Sequence, residues 1–439
     1  MKNGLPRLGG VGLNFTRATE GRAVIIDHLP AFAQRFFRPF QSDLSKPQFT
    51  HLWSLVLGLV INLRSAKLAH LAALAPEGGH RTRCAAFLRG TQWDAPALVH
   101  EAATDLLKAM KPRPGEVLYL ILDDTRLVKK GRKMGWVSKI WDHKQHKFVR
   151  GHIVLTAALV FRGVVLPWKI DLWKPKAKGK ALSQGHCGRY RKLTHMAADI
   201  VTALHAPAGV HVRVLFDAFY LCPAVTKACE SRGFTFFSVA QRNRNFKTKN
   251  GKTRRIAALM PGLIRHRGKN VRMKRSRGKA ALRLASADGH LSRIGHVRMV
   301  VSKRPRGPWK KCIAIVTNEL GLKARRIVEI YERRWLIEVL FKELVQDLGL
   351  GDYQMLQTDA IVNHLHVCCL AHLLLTHHTL QGLGDKARKP HKQVEVPTMN
   401  QRLASLRQRI TREGVCRIVK GPRHARLRSK LLEHMLPAA

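Results

Sequence analysis

Tyr-Glu-Arg-Arg-Trp-Leu-Ile-Glu-Val-Leu-Phe-Lys-Glu-Leu-Val-Gln-Asp-Leu-Gly-Leu-Gly-Asp, residues 331–352, is the stretch on which the reading of the fold turns. Apolar residues recur at helical spacing: Ile327 and Ile330 just before it, then Ile337, Leu340, Phe341, Leu344 and Leu348. The pattern predicts one amphipathic helix, stopped by Gly349 and Gly351. Tyr331, Arg334, Glu338 and Lys342 are spaced three, four and four apart and share a second face. A carboxylate among a phenol, a guanidinium and an ammonium suits a metal ion and a phosphate. Taken alone, the helix is read at least as well as a solvated face with intrahelical ion pairs. The carboxylates elsewhere in the chain decide between the two.

The 439 residues exceed one simple core and imply two to four domains. A hydrophobic fraction of 45% is that of a globular protein, not of a disordered basic tail. The charge is unusual: 79 Lys and Arg against 28 Asp and Glu leave +51. Self-repulsion on that scale calls for a polyanionic partner, and nucleic acid is the best fit. An anionic membrane is the rival. Against it, no uninterrupted apolar span reaches transmembrane length, and the nearest, residues 360–375, is broken by His364, His366 and His372. The N-terminus lacks the pattern of a signal peptide. Eight cysteines without a Cys-x-x-Cys pair read as reduced thiols in a cytosolic protein.

Residues 1–22, Gly-rich and basic, are expected to be poorly ordered. Residues 23–111 have a helical pattern, including a long helix over 51–75. Residues 66–94 then read as helix, Gly turn, helix, with Arg81, Arg83 and Arg89 on the second element. That suits a helix-turn-helix DNA reader, or equally a plain helical hairpin with a basic face. After Pro112-Arg-Pro-Gly the period changes to strand. Strands are expected at 116–125, 151–161, 163–172, 210–218 and 234–240, with helices at 190–204 and 223–232, which together make a mixed α/β sheet. Residues 241–308 are strongly basic with short β-like runs and a single carboxylate, Asp288. They read as a β-rich insertion lying on nucleic acid.

Because carboxylates are scarce, their placement is informative. Asp123-Asp124 closes one apolar strand and Asp217 another. Such an end is costly to bury unless a cation or hydrogen bonds compensate it, and sites form at that end of open α/β sheets. Asp123 and Thr125 should face one side of the sheet and Asp124 the other. The bland reading for either strand end is an aspartate that caps the following turn. With Glu338 on a later helix, three carboxylates from separate elements can hold two divalent ions for phosphodiester transfer. No P-loop is present, so nucleotide hydrolysis has no support.

At these residues the chain resembles bacterial insertion-sequence DDE transposases, in the branch with a Tyr-(2)-Arg-(3)-Glu-(6)-Lys signature. Tyr331, Arg334 and Glu338 match it within an Arg-Trp-x-Ile-Glu-x-x-Phe-Lys context. Asp123-Asp124-Thr125 resembles the family's first aspartate motif, which favours Asp123, and Asp217 with Tyr220 resembles its second. The resemblance covers roughly residues 118–375. It implies an RNase H-like α/β core with a β-rich insertion, preceded by an all-helical N-terminal domain. The expected division is 1–112 helical and DNA-binding, 113–240 first core part, 241–322 basic insertion, 323–380 second core part and 381–439 basic tail. It further implies that Asp123, Asp217 and Glu338 are catalytic and bind two Mg²⁺ ions, with Mn²⁺ able to substitute. Tyr331 and Arg334 would contact phosphates. Trp335 would stack on a displaced base or pack in the core, and the core is preferred. The signature lysine falls at Val345, a departure, and Lys342 is expected to supply that phosphate contact about a turn earlier.

The function implied is end cleavage and 3′-hydroxyl strand transfer into target DNA by a transposase. It would be a homodimer on terminal inverted repeats, cytoplasmic and nucleoid-associated, with no membrane partner. The alternatives are a catalytically silent DNA-binding protein on the same scaffold, and an RNase H-like nuclease or RNA-binding protein. Two further features read as structural. His364, Cys368 and His372 are spaced like zinc ligands but sit in an apolar helix, so packed core residues are favoured. Leu403, Leu406 and Ile410 fit a dimer helix or a solvated basic one equally.

Overall fold

The computed structural model describes residues 28–62, 66–74, 79–90, 93–142, 146–176, 190–275 and 278–418. The basic residues expected to be poorly ordered at 1–22, and the tail beyond 418, lie outside them. Five helices come first: α1 (Ala31–Phe37), α2 (Lys46–Ile61), α3 (Leu68–Leu74), α4 (Arg81–Arg89) and α5 (Ala95–Ala109). Ser45 and Gln48 form a capping box at the start of α2, and the Asp94 carboxylate accepts the Ala97 N–H at the start of α5. The helix expected over 51–75 is therefore two helices. α2 stops at Ile61, where Asn62 turns to an extended backbone. On α4, Arg81, Arg83 and Arg89 are exposed, while Cys84, Phe87 and Leu88 are buried.

β1 (Val117–Val128), β2 (Ser138–Asp142), β3 (Lys147–Phe161) and β4 (Val164–Leu172) follow. Then come α6 (Leu193–Thr202), β5 (His211–Phe216), α7 (Pro223–Ser231) and β6 (Thr235–Ala240). β1 is apolar on both faces from Leu118 to Leu122 because it is an interior strand covered on both sides. It pairs antiparallel with β3 and parallel with β5, and β5 pairs parallel with β6. The β3–β4 hairpin turns at Arg162-Gly163, both at positive φ, as a tight two-residue turn requires.

The basic stretch forms β7 (Asn245–Thr248), β8 (Thr253–Arg255), α8 (Ile256–Arg267), β9 (Lys269–Arg275), β10 (Gly278–Leu291) and β11 (Gly295–Lys303). β12 (Ile313–Thr317) links this group to β6, so the described strands make one twelve-stranded sheet. Lys247, Lys252, Arg254, Arg265, Lys269 and Arg272 are exposed. Asp288, the sole carboxylate here, is spent on a two-pronged ion pair with its cross-strand neighbour Arg298 at 2.7 and 2.9 Å.

The last elements are α9 (Ala324–Glu332), α10 (Trp335–Lys342), a π turn over Glu343–Asp347, α11 (Thr358–Leu383) and α12 (Met399–Ile418). α11 is apolar all round because it is the buried axis on which α1, α2, α4, α5, α12 and β4 pack. By length and composition it is the one described helix that could span a membrane, yet it is buried inside the protein. His364, His366 and His372 on it are core residues with protein partners. His364 Nε2 lies 3.1 Å from the Gly349 carbonyl, His366 Nδ1 2.8 Å from that of Val362, and His372 Nε2 2.8 Å from Glu343 Oε2. Leu403, Leu406 and Ile410 on α12 are buried within the same chain, so this face is neither solvated nor open to a second copy.

Candidate active site

The parallel strands β1 and β5 place the first two carboxylate positions side by side. Their register pairs Ile121 with Leu215, and two residues further along brings Asp123 level with Asp217. β5 ends at Phe216, as expected, but Asp123-Asp124 do not close β1: pairing with β3 carries it on to Val128. The crevice beyond the end of β5 is where ligands enter such sheets. Ser238 on β6, fully buried, steadies this end by donating its hydroxyl to the Asp217 carbonyl at 3.0 Å.

The third carboxylate comes from a broken helix. The single helix expected over 331–352 is instead α9, a tightened turn at Arg333-Arg334, α10 and the π turn. The Arg333 and Arg334 N–H groups reach back three residues, to Ile330 and Tyr331, and the Leu336 and Ile337 N–H groups do the same. The apolar stripe survives this change. Ile327, Ile330, Ile337, Leu340, Phe341, Leu344 and Leu348 are all buried. Tertiary contacts to the sheet decide the bend, which the local spacing does not report.

The bend aims Arg334 into the crevice. Its Nη1 donates to Asp123 Oδ2 at 2.6 Å and its Nη2 to Glu338 Oε1 at 3.2 Å. Asp124 faces the other way, as strand alternation predicts, and accepts the hydroxyl of fully buried Tyr220 at 2.8 Å. Asp217 does cap its own turn: Oδ1 accepts the N–H groups of Phe219 at 2.9 Å and Tyr220 at 3.4 Å. The structure thus joins Asp123 to Glu338 through Arg334 and sets Asp217 beside the Asp123-Asp124 pair. Among the described residues, no three His, Cys, Asp or Glu side chains converge on a single point.

Electrostatics bind the group together. Burial, and then the nearby Asp217 and Asp124 charges, push the Asp123 carboxyl up to about 7 although Arg334 pulls it down. Burial also raises Asp217, partly offset by its two backbone hydrogen bonds. Burial pushes the Tyr331 phenol up to about 12 despite the Arg334 charge, so it stays protonated. Trp335 is 49% exposed, so the core position preferred from sequence is wrong. It begins α10 on the side away from buried Ile337 and Leu340. Lys342 is exposed, with its charge near Asp347, and Val345 is half-buried against the core. The sequence singles out Tyr220 with Asp217, but not as the partner of Asp124. Ser238 carries no readable signal, and only the β5–β6 register brings it here.

A family model described as "DDE superfamily endonuclease" matches residues 39–281, more than half of the chain. The chain belongs to that family. A second model, "Transposase DDE domain", matches residues 189–374 and takes in Asp217 and Glu338. A probable transposase for insertion sequence element IS701 from Microchaete diplosiphon is 26% identical over 168 residues. That match covers 37% of this chain and 41% of the relative. A structure of the piggyBac transposase synaptic complex with hairpin DNA overlays 90% of this chain and 77% of that one, at TM-score 0.41 and 11% identity.

Proposed function

We propose that this DDE endonuclease is a DNA transposase that cleaves transposon ends and transfers 3′-hydroxyl strands to target DNA. The observation that carries the reading is that Asp123, where β1 passes the end of β5, lies level with Asp217 just beyond β5, with Glu338 joined through Arg334. The strand order β4-β3-β1-β5-β6, three antiparallel strands followed by two parallel ones, supports an RNase H-like core. β7 to β11 then stand as its insertion between Asp217 and Glu338.

The donor set suits Mg²⁺ or Mn²⁺: oxygen ligands only, and two half-buried aspartates whose repulsion a divalent cation would relieve. Asp123, Asp217 and Glu338 would hold two ions, which supply activation of water or a 3′-hydroxyl and stabilisation of the leaving oxygen. Arg334 presents a planar guanidinium at the same point, suited to a phosphate. Tyr331, protonated, donates a hydrogen bond there. Exposed Trp335 stacks on a displaced base, and Lys342 supplies the phosphate contact that Val345 cannot. Two element ends call for a homodimer on terminal inverted repeats.

The test is nicking of a supercoiled plasmid that carries the inverted repeats flanking the gene. Nicks at the repeats with Mg²⁺ and none with EDTA are expected. Binding to the repeats without a nick would favour the silent DNA-binding reading that Val345 raises. No preference for the repeats would sink both.

The Asp123 shift has a separate readout. In the metal-free protein, folded Asp123 holds its proton up to about pH 7, whereas an unfolded aspartate releases it near 4. Stability therefore falls as pH rises between those values and then levels off. A proton competes with the cation over the same range. The rise in melting temperature caused by Mg²⁺ should grow from pH 6 to pH 8 and then flatten. A Mg²⁺ effect independent of pH would remove Asp123 from the ligand set.

A further inference from the structure

The β2–β3 hairpin carries a second feature that the cleavage site does not use. Trp141 on β2 and Phe148 on β3 are directly opposed across the ladder, with ring centroids 5.0 Å apart and planes at 73°. Neither ring is sheltered: Trp141 is 38% exposed and Phe148 58%. Lys139 Nζ lies 4.7 Å from the Phe148 ring centroid, and Arg150, directly opposite Lys139, is exposed. From residue 125 to 161 the chain has nine Lys and Arg and one carboxylate, Asp142.

Strand register fixes where these rings lie. Asp123 is opposite Thr156 on β3, and Leu127 is opposite His152. Side chains alternate, so Phe148, Arg150, His152 and Thr156 share one face, and their partners Trp141, Lys139, Leu127 and Asp123 share it with them. The rings are therefore on the same face of the sheet as Asp123. Thr156 and Phe148 are separated by eight residues, roughly 26 Å along the strand at the usual rise. Between them, Tyr353 covers this face, its hydroxyl 2.7 Å from His152 Nδ1. A nucleic-acid strand needs about eight nucleotides to cover such a distance at roughly 3.4 Å each.

We propose that the Trp141–Phe148 pair is a stacking platform for unpaired DNA bases, with Lys139 and Arg150 holding the adjoining phosphates. This rests on the DNA reading of the cleavage site. Aromatic faces interleaved with cations are how single strands are held without sequence preference, and duplex DNA hides the base faces that the rings would bind. A cross-strand aromatic pair that only steadies its hairpin is the competing account. It predicts no selectivity for unpaired bases.

The experiment compares two labelled DNAs of equal length, one fully paired and one with about ten unpaired nucleotides, each against the full-length protein. Wild type should prefer the second. Trp141→Ala with Phe148→Ala should lose roughly tenfold on it, as loss of one stacked base predicts, and change little on the paired DNA. Trp141→Phe with Phe148→Tyr keeps the rings and should keep the preference. A 2-aminopurine in the unpaired run should be quenched by wild type and not by the alanine pair. Equal losses on both DNAs, no loss on either, or a changed oligomeric state with unchanged DNA binding would overturn the platform. Failure of wild type to bind any DNA would overturn the transposase reading as well.

Discussion

Asp123→Asn, Asp217→Asn and Glu338→Gln should each cut nicking at the repeats by about a thousandfold or more, an activation cost of about 4 kcal/mol. Binding to the same DNA should stay within a few fold. The three positions come from β1, the end of β5 and α10, and none can replace another across the crevice. Misfolding is not the expected cause. Asp123 is costly to ionise in the folded protein, so Asp123→Asn should raise the melting temperature of the metal-free protein at neutral pH and above while removing activity. Glu338→Gln keeps an oxygen for the Arg334 Nη2 hydrogen bond. Asp124→Asn is the control that separates neighbours, since the Tyr220 hydroxyl can still donate to the amide oxygen. If Asp124→Asn is the silent variant and Asp123→Asn is active, the assignment within the pair is reversed. A variant at any of the three that keeps a tenth of the wild-type rate has lost its claim to the site.

Glu116→Ala should destabilise the fold by about 3–5 kcal/mol, the range for stranding one half of a buried ion pair. Glu116 and Arg162 are each only 3% exposed at the side chain. Arg162 Nε donates to Glu116 Oε1 at 2.9 Å and Nη2 to Oε2 at 2.5 Å, while Nη1 reaches the carbonyls of Met110 and Ala387. His391 N–H adds a bond to Glu116 at 2.8 Å. One guanidinium thus ties the end of α5, the start of β1, the β3–β4 turn and the segment after α11. It also holds Arg162 at positive φ, a conformation a non-glycine residue adopts at some cost. Burial alone would raise the Glu116 carboxyl, but the Arg162, His391 and Arg113 hydrogen bonds outweigh it and hold it at about 2. The pair's contribution is complete above the unfolded value near 4.3 and fades as pH falls towards 2. Chemical denaturation at pH 7 and pH 3 should show the Glu116→Ala penalty shrinking at the lower pH. Glu116→Leu combined with Arg162→Met should cost far less than Glu116→Ala alone, because no charge is stranded. A penalty under about 1 kcal/mol for the single change would mean that water reaches the pair.

The sequence by itself determined many of the sheet strands, the buried helical stripes and which carboxylates are candidates. Continuous apolar runs before Asp123-Asp124 and Asp217 marked two strands, and both exist, but only Asp217 lies at a strand end, because pairing with β3 carries β1 on to Val128. The buried stripe from Ile327 to Leu348 was legible because burial follows the period of the helix, whatever the helix later packs on. The charge of +51 pointed to a polyanion without reference to any fold. Tertiary structure alone decided the rest. It bent the 331–352 helix at Arg333-Arg334, since the requirement to reach Asp123 comes from the sheet and not from neighbours in sequence. It exposed Trp335, whose side of α10 local spacing could not settle. It also set Asp217 beside Asp123, gave Asp124 to Tyr220 and turned the α12 face inward. Each of these rests on strand register or helix packing between residues far apart in the chain, and local periodicity carries no information about such partners.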